Sequence, residues 1–293
     1  MSSLDSSAGI LTIDLAELAR NWQRLKSRLN GADCGGAIKA DAYGLGAGKA
    51  IIQLCQSGCK EFFVALIDEG IYLRKILNEA SLEANIHILG GPMDAGQTLV
   101  EQDLIPVLNS LGDIALWIEK HPQALADVHI DTGMARLGLP PDEVDILKSD
   151  PERIQGLNIS HVISHLACAE DTKTAMNAAQ LESFRQALSL FPGCKASLAN
   201  SSGIFLGDEY HFDLARPGVA LYGVNPSPGE PNPMGQVIRL QGKILQVRDV
   251  DAPESVGYGA THRIEKKGRI ATVGVGYGDG YLRSLSSNGT GFL

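Results

Sequence analysis

A single lysine closes a short apolar run and is followed by small residues. Lys39 has Ala37, Ala40 and Ala42 as close neighbours in the chain, and glycines follow shortly afterwards. An ammonium group buried at the end of a strand is costly to desolvate, so the pKa of such a lysine falls. The neutral amine is a nucleophile for carbonyl carbons. The alternative is a lysine whose ammonium group simply reaches solvent past the strand end.

Polar residues that could bind anions follow two later predicted strands. Arg136 stands in a glycine-containing loop, where a guanidinium can hold a carboxylate or phenolate by charge-assisted hydrogen bonds. The turn that begins with Asn200 and Ser201 offers hydroxyls and backbone N–H groups to a phosphate. Each has a structural alternative: a surface ion pair for Arg136 and an ordinary helix N-cap for Asn200.

Four more residues are candidates for a site. His165 ends the sixth predicted strand, where imidazole can serve a ligand or the core. Arg216 lies in or beside the eighth strand, where a permanent cation requires a partner, and Gly218 would let a backbone amide approach a phosphate. Tyr277 could be a base only if a neighbouring cation or imidazole favours its phenolate. An exposed turn tyrosine is the alternative, and we interpret the similar Tyr258 as structural.

Alternating strand and helix patterns predict a (β/α)₈ TIM-type barrel of the α/β class. The competing interpretation is an open doubly wound sheet. The barrel is favoured because the unusual residues fall at the carboxyl ends of several strands, where barrel enzymes place their chemistry. The predicted strands lie near 35–40, 61–66, 85–90, 104–109, 127–132, 159–165, 195–200 and 214–221.

The composition and the hydrophobic pattern of the sequence change near residue 225. Repeated prolines predict a linker over 225–235, between a barrel domain at 9–224 and a β-rich domain at 236–293. A turn signal near residue 288 predicts a following strand, so we expect the β-rich domain to be incomplete. A truncated, inactive fragment is one interpretation of that ending.

Composition restricts the partners and the compartment. A formal charge of −9 without a basic stripe argues against nucleic acid. The absence of a signal segment and of a long apolar run argues against a membrane and predicts a cytoplasmic protein. Five cysteines without paired ligand spacing predict reduced thiols and no metal site.

The residues around Lys39 resemble the cofactor-lysine motif of alanine racemases. Similar motifs occur in the same order as in that family, and the resemblance extends from about residue 9 to 285. They lie around Arg136, His165, Asn200–Gly203, Arg216 and Tyr277. The resemblance implies interconversion of L- and D-alanine with pyridoxal 5′-phosphate, which supplies D-alanine for peptidoglycan. It also implies a homodimer whose active sites are shared between subunits.

The resemblance also implies roles for particular residues. Lys39 would form a Schiff base with the cofactor and act as one of two bases, and Tyr277 would be the other. Arg216 would face the pyridine nitrogen and keep it unprotonated. Arg136 would lie beside the phenolic oxygen and bind substrate, and His165 would hydrogen-bond the tyrosine or stack near the pyridine ring.

The phosphate-binding residues and one departure follow from the same comparison. Tyr43, Ser201 and Gly218 would bind phosphate, with Asn200 beside them. Many members of the family carry a carbamylated lysine where this chain has His129, so an anion or the imidazole must orient Arg136 here. Related barrels include decarboxylases and carriers that do not racemise, and these remain the alternative function.

Overall fold

The chain divides into two compact units in the computed structural model, which describes residues 6–251, 253–286 and 288–292. The barrel unit is Asp14–Val237, and the β-rich unit joins the residues up to Ile13 to those from Ile238 onward. Residues 9–13 are therefore placed differently from the sequence-based boundary. The reason is an antiparallel ladder in which Gly9–Ile13 pairs with Ile238–Gly242.

The strands are numbered along the chain. They are β1 (Gly9–Ile13), β2 (Asp33–Cys34), β3 (Gly36–Ala37), β4 (Glu61–Val64), β5 (Asn85–Ile88), β6 (Ile105–Leu108), β7 (Leu125–His129), β8 (Asn158–Ile163), β9 (Lys195–Ser197), β10 (Leu214–Ala215), β11 (Ile238–Gly242), β12 (Ile244–Val250), β13 (Glu254–Val256), β14 (His262–Ile264) and β15 (Gly268–Val273).

Parallel pairing closes the barrel. Strands β3 to β9 form one parallel sheet in chain order, and β10 pairs in parallel with β2. Only Gly35 separates β2 from β3, and its N–H donates to Ala215 O at 2.9 Å. On the other side of β10, Arg216 N donates to Ala199 O at 2.8 Å. The predicted (β/α)₈ barrel followed by a β-rich segment is therefore confirmed.

Helices cover the outside of this barrel. They are α1 (Leu15–Ser27), α2 (Ala47–Gln56), α3 (Ile67–Glu79), α4 (Gly96–Glu101), α5 (Leu111–Lys120), α6 (Pro141–Ser149) and α7 (Ala175–Leu188). Asp14 caps α1, and its side chain accepts from Glu17 N at 2.8 Å. Leu18, Trp22 and Leu25, at helical spacing, form its buried face.

Several strands are shorter than the sequence pattern predicts. The first ends at Ala37 and the last at Ala215, and a 3₁₀ turn at Val219–Tyr222 replaces the rest of the predicted eighth strand. Lys39 and Arg216 therefore lie on the segments just beyond their strands. The predicted strand extensions were wrong because apolar content marks burial and does not fix the backbone angles.

The predicted linker packs on the barrel unit. It has no helix or strand, as its prolines predict. The side chain of Asn21 donates to Gly235 O at 2.9 Å and accepts from Gly235 N at 2.8 Å, and Met234 is buried. In the β-rich unit, β12 pairs with β15 and β13 with β14, both antiparallel.

Among the described residues, no helix is both long and apolar enough to cross a bilayer. The five cysteines are free thiols, of which Cys34, Cys55 and Cys59 are buried.

Candidate active site

A cavity of about 190 Å³ opens at the carboxyl ends of the barrel strands. Eight of the nine predicted site residues line it, and the exception is Tyr277, in the β-rich unit. The lining side chains are Ala37, Lys39, Tyr43, Phe63, Leu89, His129, Arg136, Leu137, Ile163, His165, Asn200, Ser201, Ser202, Arg216, Gly218 and Val219. Segments far apart in the chain therefore meet at one face of the barrel.

The backbone after Lys39 forms a left-handed turn. Four successive residues, Ala40 to Tyr43, have φ between 52 and 57°. Residues with a Cβ avoid this region at roughly 1–2 kcal/mol each, so surrounding contacts must hold the turn. The carboxylate of Glu69 accepts from the N–H of Ala40, and that of Asp41 accepts from Ala47 N at 2.7 Å.

Glu69 fixes this turn to the start of α3. Its second carboxylate oxygen accepts from Ala65 N at 2.8 Å and Leu66 N at 2.9 Å. One side chain thus joins the end of β4, the N-terminus of α3 and the residue beside Lys39. The Lys39 segment is held in place through its backbone, which leaves the amine free to act.

The electrostatic surroundings favour a neutral Lys39 amine. Partial burial lowers the pKa of Lys39, and the positive charge of Arg136 lowers it further, while Glu69 opposes the shift. A lowered pKa increases the fraction of neutral, nucleophilic amine near neutral pH. The sequence and the structure therefore both indicate a lowered pKa for Lys39.

Arg216 is a buried cation at the base of the cavity. Its guanidinium donates to Ser197 Oγ and to Ser164 O, both neutral acceptors. No ion pair in the described part of the chain includes Arg216. Burial lowers the pKa of Arg216 to about 10, so it stays charged at neutral pH. A buried guanidinium with neutral partners can receive a further acceptor from a ligand.

Two neutral imidazoles line the same cavity. Burial, reinforced by the charge of Arg216, lowers the pKa of His129 to about 4 and that of His165 to about 3. His129 Nδ1 lies 2.9 Å from Asn109 Oδ1, and the Asn109 amide donates to Leu89 O and Val107 O. The amide orientation makes Nδ1 of His129 the donor, so its Nε2 is an acceptor.

Backbone N–H groups and hydroxyls meet at the far side of the cavity. Ser201 Oγ accepts from Gly218 N at 2.9 Å and Ala220 N at 3.2 Å. A Cβ at position 218 would collide with Tyr43 Oη, so glycine is needed for the close approach. Tyr43 also packs against Tyr222, with ring centroids 5.1 Å apart. Burial raises the pKa of Tyr43, which keeps it a neutral hydrogen-bond donor.

The loop that carries Arg136 is stabilised from within. Asp131 Oδ1 accepts from Gly133 N and Met134 N, each at 2.9 Å, and from Ala135 N at 3.1 Å. Arg136 itself is exposed, and it lines the cavity. The loop is therefore ordered while its arginine remains available to a ligand.

Tyr277 begins a 3₁₀ turn, Tyr277–Asp279, in the β-rich unit. Its side chain is 71% exposed, and the guanidinium of Arg283 lies 5.9 Å from its ring centroid. Tyr258, the similar tyrosine in the same unit, is 98% exposed. Neither ring belongs to a core in this chain.

A buried charged network inside the barrel was not singled out from the sequence. His87 is fully buried, with Nδ1 2.6 Å from Asp127 Oδ2 and Nε2 2.7 Å from Glu61 Oε2. The side-chain nitrogen Nδ1 of His161 also lies close to the Asp127 carboxylate. One potential metal-ligating atom from each of His87, Asp127 and His161 lies within 4.8 Å of the others. His87 occupies an apolar run, and only the closed barrel brings these residues together.

Stacking connects this network to the cavity. The ring of Phe63 stacks on His87 with centroids 4.4 Å apart, and Arg216 lies over the same phenyl ring at 5.7 Å. Phe63 also lines the cavity. The sequence showed Phe63 only as a strand residue, and no local signal distinguishes it.

These features define a class: a (β/α)₈ barrel whose ligand site centres on one strand-end lysine, with two arginines and a backbone anion cradle. Comparison with known proteins specifies it further. The family model for the alanine racemase N-terminal domain matches residues 13–226, and that for the alanine racemase C-terminal domain matches residues 237–293.

Individual relatives agree with these models. The chain is 49% identical to an alanine racemase of Rhodospirillum rubrum, covering all of this chain and 79% of the relative. A catabolic alanine racemase of Mesorhizobium japonicum is 43% identical, with 97% of this chain and 75% of the relative covered. The chain therefore belongs to the alanine racemase family.

Solved structures show the same relationship. An alanine racemase of Bartonella henselae, with covalently bound pyridoxal phosphate, matches at a TM-score of 0.86 and 38% identity. The match covers 95% of this chain and 78% of that one. The biosynthetic alanine racemase of Pseudomonas aeruginosa matches at 0.83 and 29% identity, covering 94% and 78%.

Proposed function

We propose that this protein is an isomerase that interconverts L- and D-alanine with pyridoxal phosphate bound at Lys39. The observation that carries the proposal is the single cavity in which Lys39, Arg136, Arg216 and the Ser201–Gly218 cradle meet. Membership of the alanine racemase family supports the reaction. The covalently bound pyridoxal phosphate in the relative from Bartonella henselae supports the cofactor.

The residues present fit this cofactor. An amine with a lowered pKa suits covalent attachment to an aldehyde. The absence of a side chain at Gly218 lets the Tyr43 hydroxyl lie against its backbone, close to Ser201, so that these donors could share a phosphate. Arg216 presents a buried cation whose protein partners are neutral, which suits a ring nitrogen that accepts a hydrogen bond. Lys39 would hold the aldehyde carbon, and Tyr43, Ser201 and Gly218 the phosphate, with Asn200 ordering the turn beside them.

Pyridoxal phosphate, when bound, supplies an electron sink that makes the Cα–H of an attached amino acid acidic. The chain's own residues have separate tasks. Arg136 holds negative oxygen of cofactor or substrate. The guanidinium of Arg216 would face the ring nitrogen and keep it unprotonated. His165, neutral in its buried position, serves as a hydrogen-bond partner that adds no further positive charge.

Racemisation requires a proton to leave one face of Cα and another to arrive at the opposite face. We assign Lys39 Nζ to one face and Tyr277 Oη to the other. The exposure of Tyr277 supports a function outside its own subunit's core. We propose a homodimer in which Tyr277 of the partner subunit completes each site, and we propose that the D-alanine formed supplies peptidoglycan.

The two tyrosines of the β-rich unit allow a matched test. Tyr277→Phe removes a hydroxyl that the proposal needs, whereas Tyr258→Phe removes one from a more exposed ring in a similar Gly-Tyr-Gly sequence. We expect Tyr277→Phe to lower kcat for alanine racemisation by on the order of 10²–10⁴-fold, the usual contribution of a positioned base. Tyr258→Phe should leave kcat unchanged.

Isotope transfer separates the roles of the two bases. In D₂O, a variant that lacks one base should no longer exchange the Cα proton of one enantiomer. It should still exchange the Cα proton of the other enantiomer, which the remaining base removes. Equal activity of Tyr277→Phe and the unmodified chain would refute the two-base assignment. A bound cofactor spectrum without D-alanine formation by the unmodified chain would instead favour a carrier.

A further inference from the structure

A buried amide on α7 touches the two segments that carry Arg136 and His165. Gln180 is 1% exposed, and its side chain makes three hydrogen bonds. Its Oε1 accepts from Ala167 N at 2.9 Å, and its Nε2 donates to His165 O at 2.9 Å and to Thr132 Oγ1 at 3.2 Å. Thr132 follows β7 in the Arg136 loop, and the other two partners follow β8.

The hydrogen bonds continue toward Arg216. Because Thr132 Oγ1 accepts from Gln180, its own proton is free to go to Ser164 Oγ, 2.8 Å away. The carbonyl oxygen of Ser164 in turn accepts from the guanidinium of Arg216. An unbroken series of bonds therefore runs from helix α7 through the Arg136 loop and the His165 segment to Arg216.

The energetics make this arrangement specific. Burying an amide costs a few kcal/mol unless its groups are paired, and an apolar residue would satisfy the helix packing alone. A side chain that bonds two loops is sensitive to their relative position, because hydrogen bonds weaken over a few tenths of an ångström. The Gln180 amide thus holds the loops at a fixed separation.

We propose that Gln180, acting with Thr132, is a positioning residue that locks the Arg136 loop against the His165 and Ser164 segment. Gln180 itself does not line the cavity. The kinetic part of this inference rests on the proposed function, whereas the structural part does not.

Two variants on the same helix test the proposal. Gln180→Met keeps the length of the side chain and removes its hydrogen-bonding groups. Asn177→Leu is the matched control, because Asn177 is also a buried amide of α7, 3% exposed, but donates to Asp171 O at 2.9 Å, away from the cavity residues. Both variants should lower the melting temperature. A second pair, Thr132→Val and Thr132→Ser, removes and keeps the bridging hydroxyl.

Two readouts on the full chain decide the outcome. Hydrogen–deuterium exchange should speed up in 131–138 and 164–167 for Gln180→Met and Thr132→Val, and not for Asn177→Leu or Thr132→Ser. In alanine racemisation by the cofactor-loaded protein, the first two variants should lose roughly 10–100-fold in kcat with little change in KM, the scale expected from misplaced groups.

The possible results are distinguishable. Equal exchange and equal kcat in Gln180→Met and Asn177→Leu, with similar losses of melting temperature, would overturn the proposal and leave Gln180 a stabilising residue. If the unmodified chain does not racemise alanine, the proposed function fails, and the exchange pattern alone then supports or overturns the locking role.

Discussion

The carboxylate of Glu69 accepts the backbone N–H of Ala40, the residue next to Lys39. Through this bond, a residue at the N-terminus of α3 holds a left-handed turn that residues with side chains normally avoid. The backbone beside Lys39 is therefore held from a neighbouring βα unit and not only by the strand that precedes it.

Glu69→Gln should loosen this turn. The variant keeps one acceptor oxygen but places an NH₂ group against backbone N–H donors, so the unfolding free energy should fall by about 1–3 kcal/mol. The fraction of protein with bound pyridoxal phosphate should fall in parallel. The absorbance of the protein-bound cofactor measures this fraction. Glu79→Gln is the control, because Glu79 lies on the same helix and only approaches Lys75 at 3.9 Å on the surface. Unchanged occupancy in Glu69→Gln would contradict this account.

Gly218→Ala should weaken cofactor binding. The added methyl group would meet Tyr43 Oη, which must move from its place beside the cradle. We expect the dissociation constant for pyridoxal phosphate, measured by titration of the cofactor-free protein, to rise at least tenfold, about 1.4 kcal/mol. Gly112→Ala in α5 is the control, since its Cβ would lie 3.6 Å from the nearest atom, Ser110 Oγ. Equal affinity of both variants would contradict the steric argument.

Arg216→Lys should affect turnover, whereas Arg74→Lys should affect only stability. Arg74 is also buried, and it donates to Gln102 O, Ala84 O and Asp103 O, far from the cavity residues. Since a lysine cannot reproduce a guanidinium fork, Arg74→Lys should cost roughly 1–3 kcal/mol of stability and leave turnover unchanged. Arg216→Lys should lower kcat by at least tenfold. Matching kinetics for the two variants would show that Arg216 is only a structural cation.

The buried network of His87 should make stability fall at alkaline pH. Burial alone would lower the pKa of His87, but the charge of Asp127 and hydrogen bonds to Asp127 and Glu61 raise it to about 9. A folded-state pKa above the ordinary value of 6.5 means that the contribution is complete below pH 6.5 and lost as pH rises through 9. Urea unfolding between pH 6 and 10 measures this loss.

The variant His87→Gln separates this effect from other titrations. It removes the closest cationic partner of Asp127, so stability at pH 6 should fall by roughly 3–5 kcal/mol, and the alkaline slope should disappear. His121→Gln, which changes a histidine packed on Trp117 outside this network, is the control. An alkaline slope that persists in His87→Gln would assign it to another group.

The loss of stability at acid pH should depend on Asp127, His129 and His165. Burial would raise the pKa of Asp127, but His87 and His161 lower it to about 2, so its contribution is lost only as pH falls toward that value. The lowered pKa values of His129 and His165 destabilise the fold earlier, as pH falls below 6.5, because the unfolded chain binds those protons more readily.

The sequence alone predicts the barrel, the β-rich segment and the chemical groups that are candidates for a site. Alternating buried runs and amphipathic helices are local patterns, and motifs around Lys39, Arg136 and Arg216 keep their order along the chain. The carboxyl-end rule for barrels then predicted that these residues share one face. The structure brings eight of the nine predicted site residues to one cavity.

The way in which that face is held becomes visible only in the folded chain. None of the four residues in the left-handed turn after Lys39 is a glycine, and the carboxylate that stabilises the turn comes from Glu69, distant in the chain. His87 looked like one member of an apolar strand, and Gln180 like one polar residue of a helix. Their roles depend on partners that are remote in sequence, and such partners become neighbours only when the parallel sheet closes.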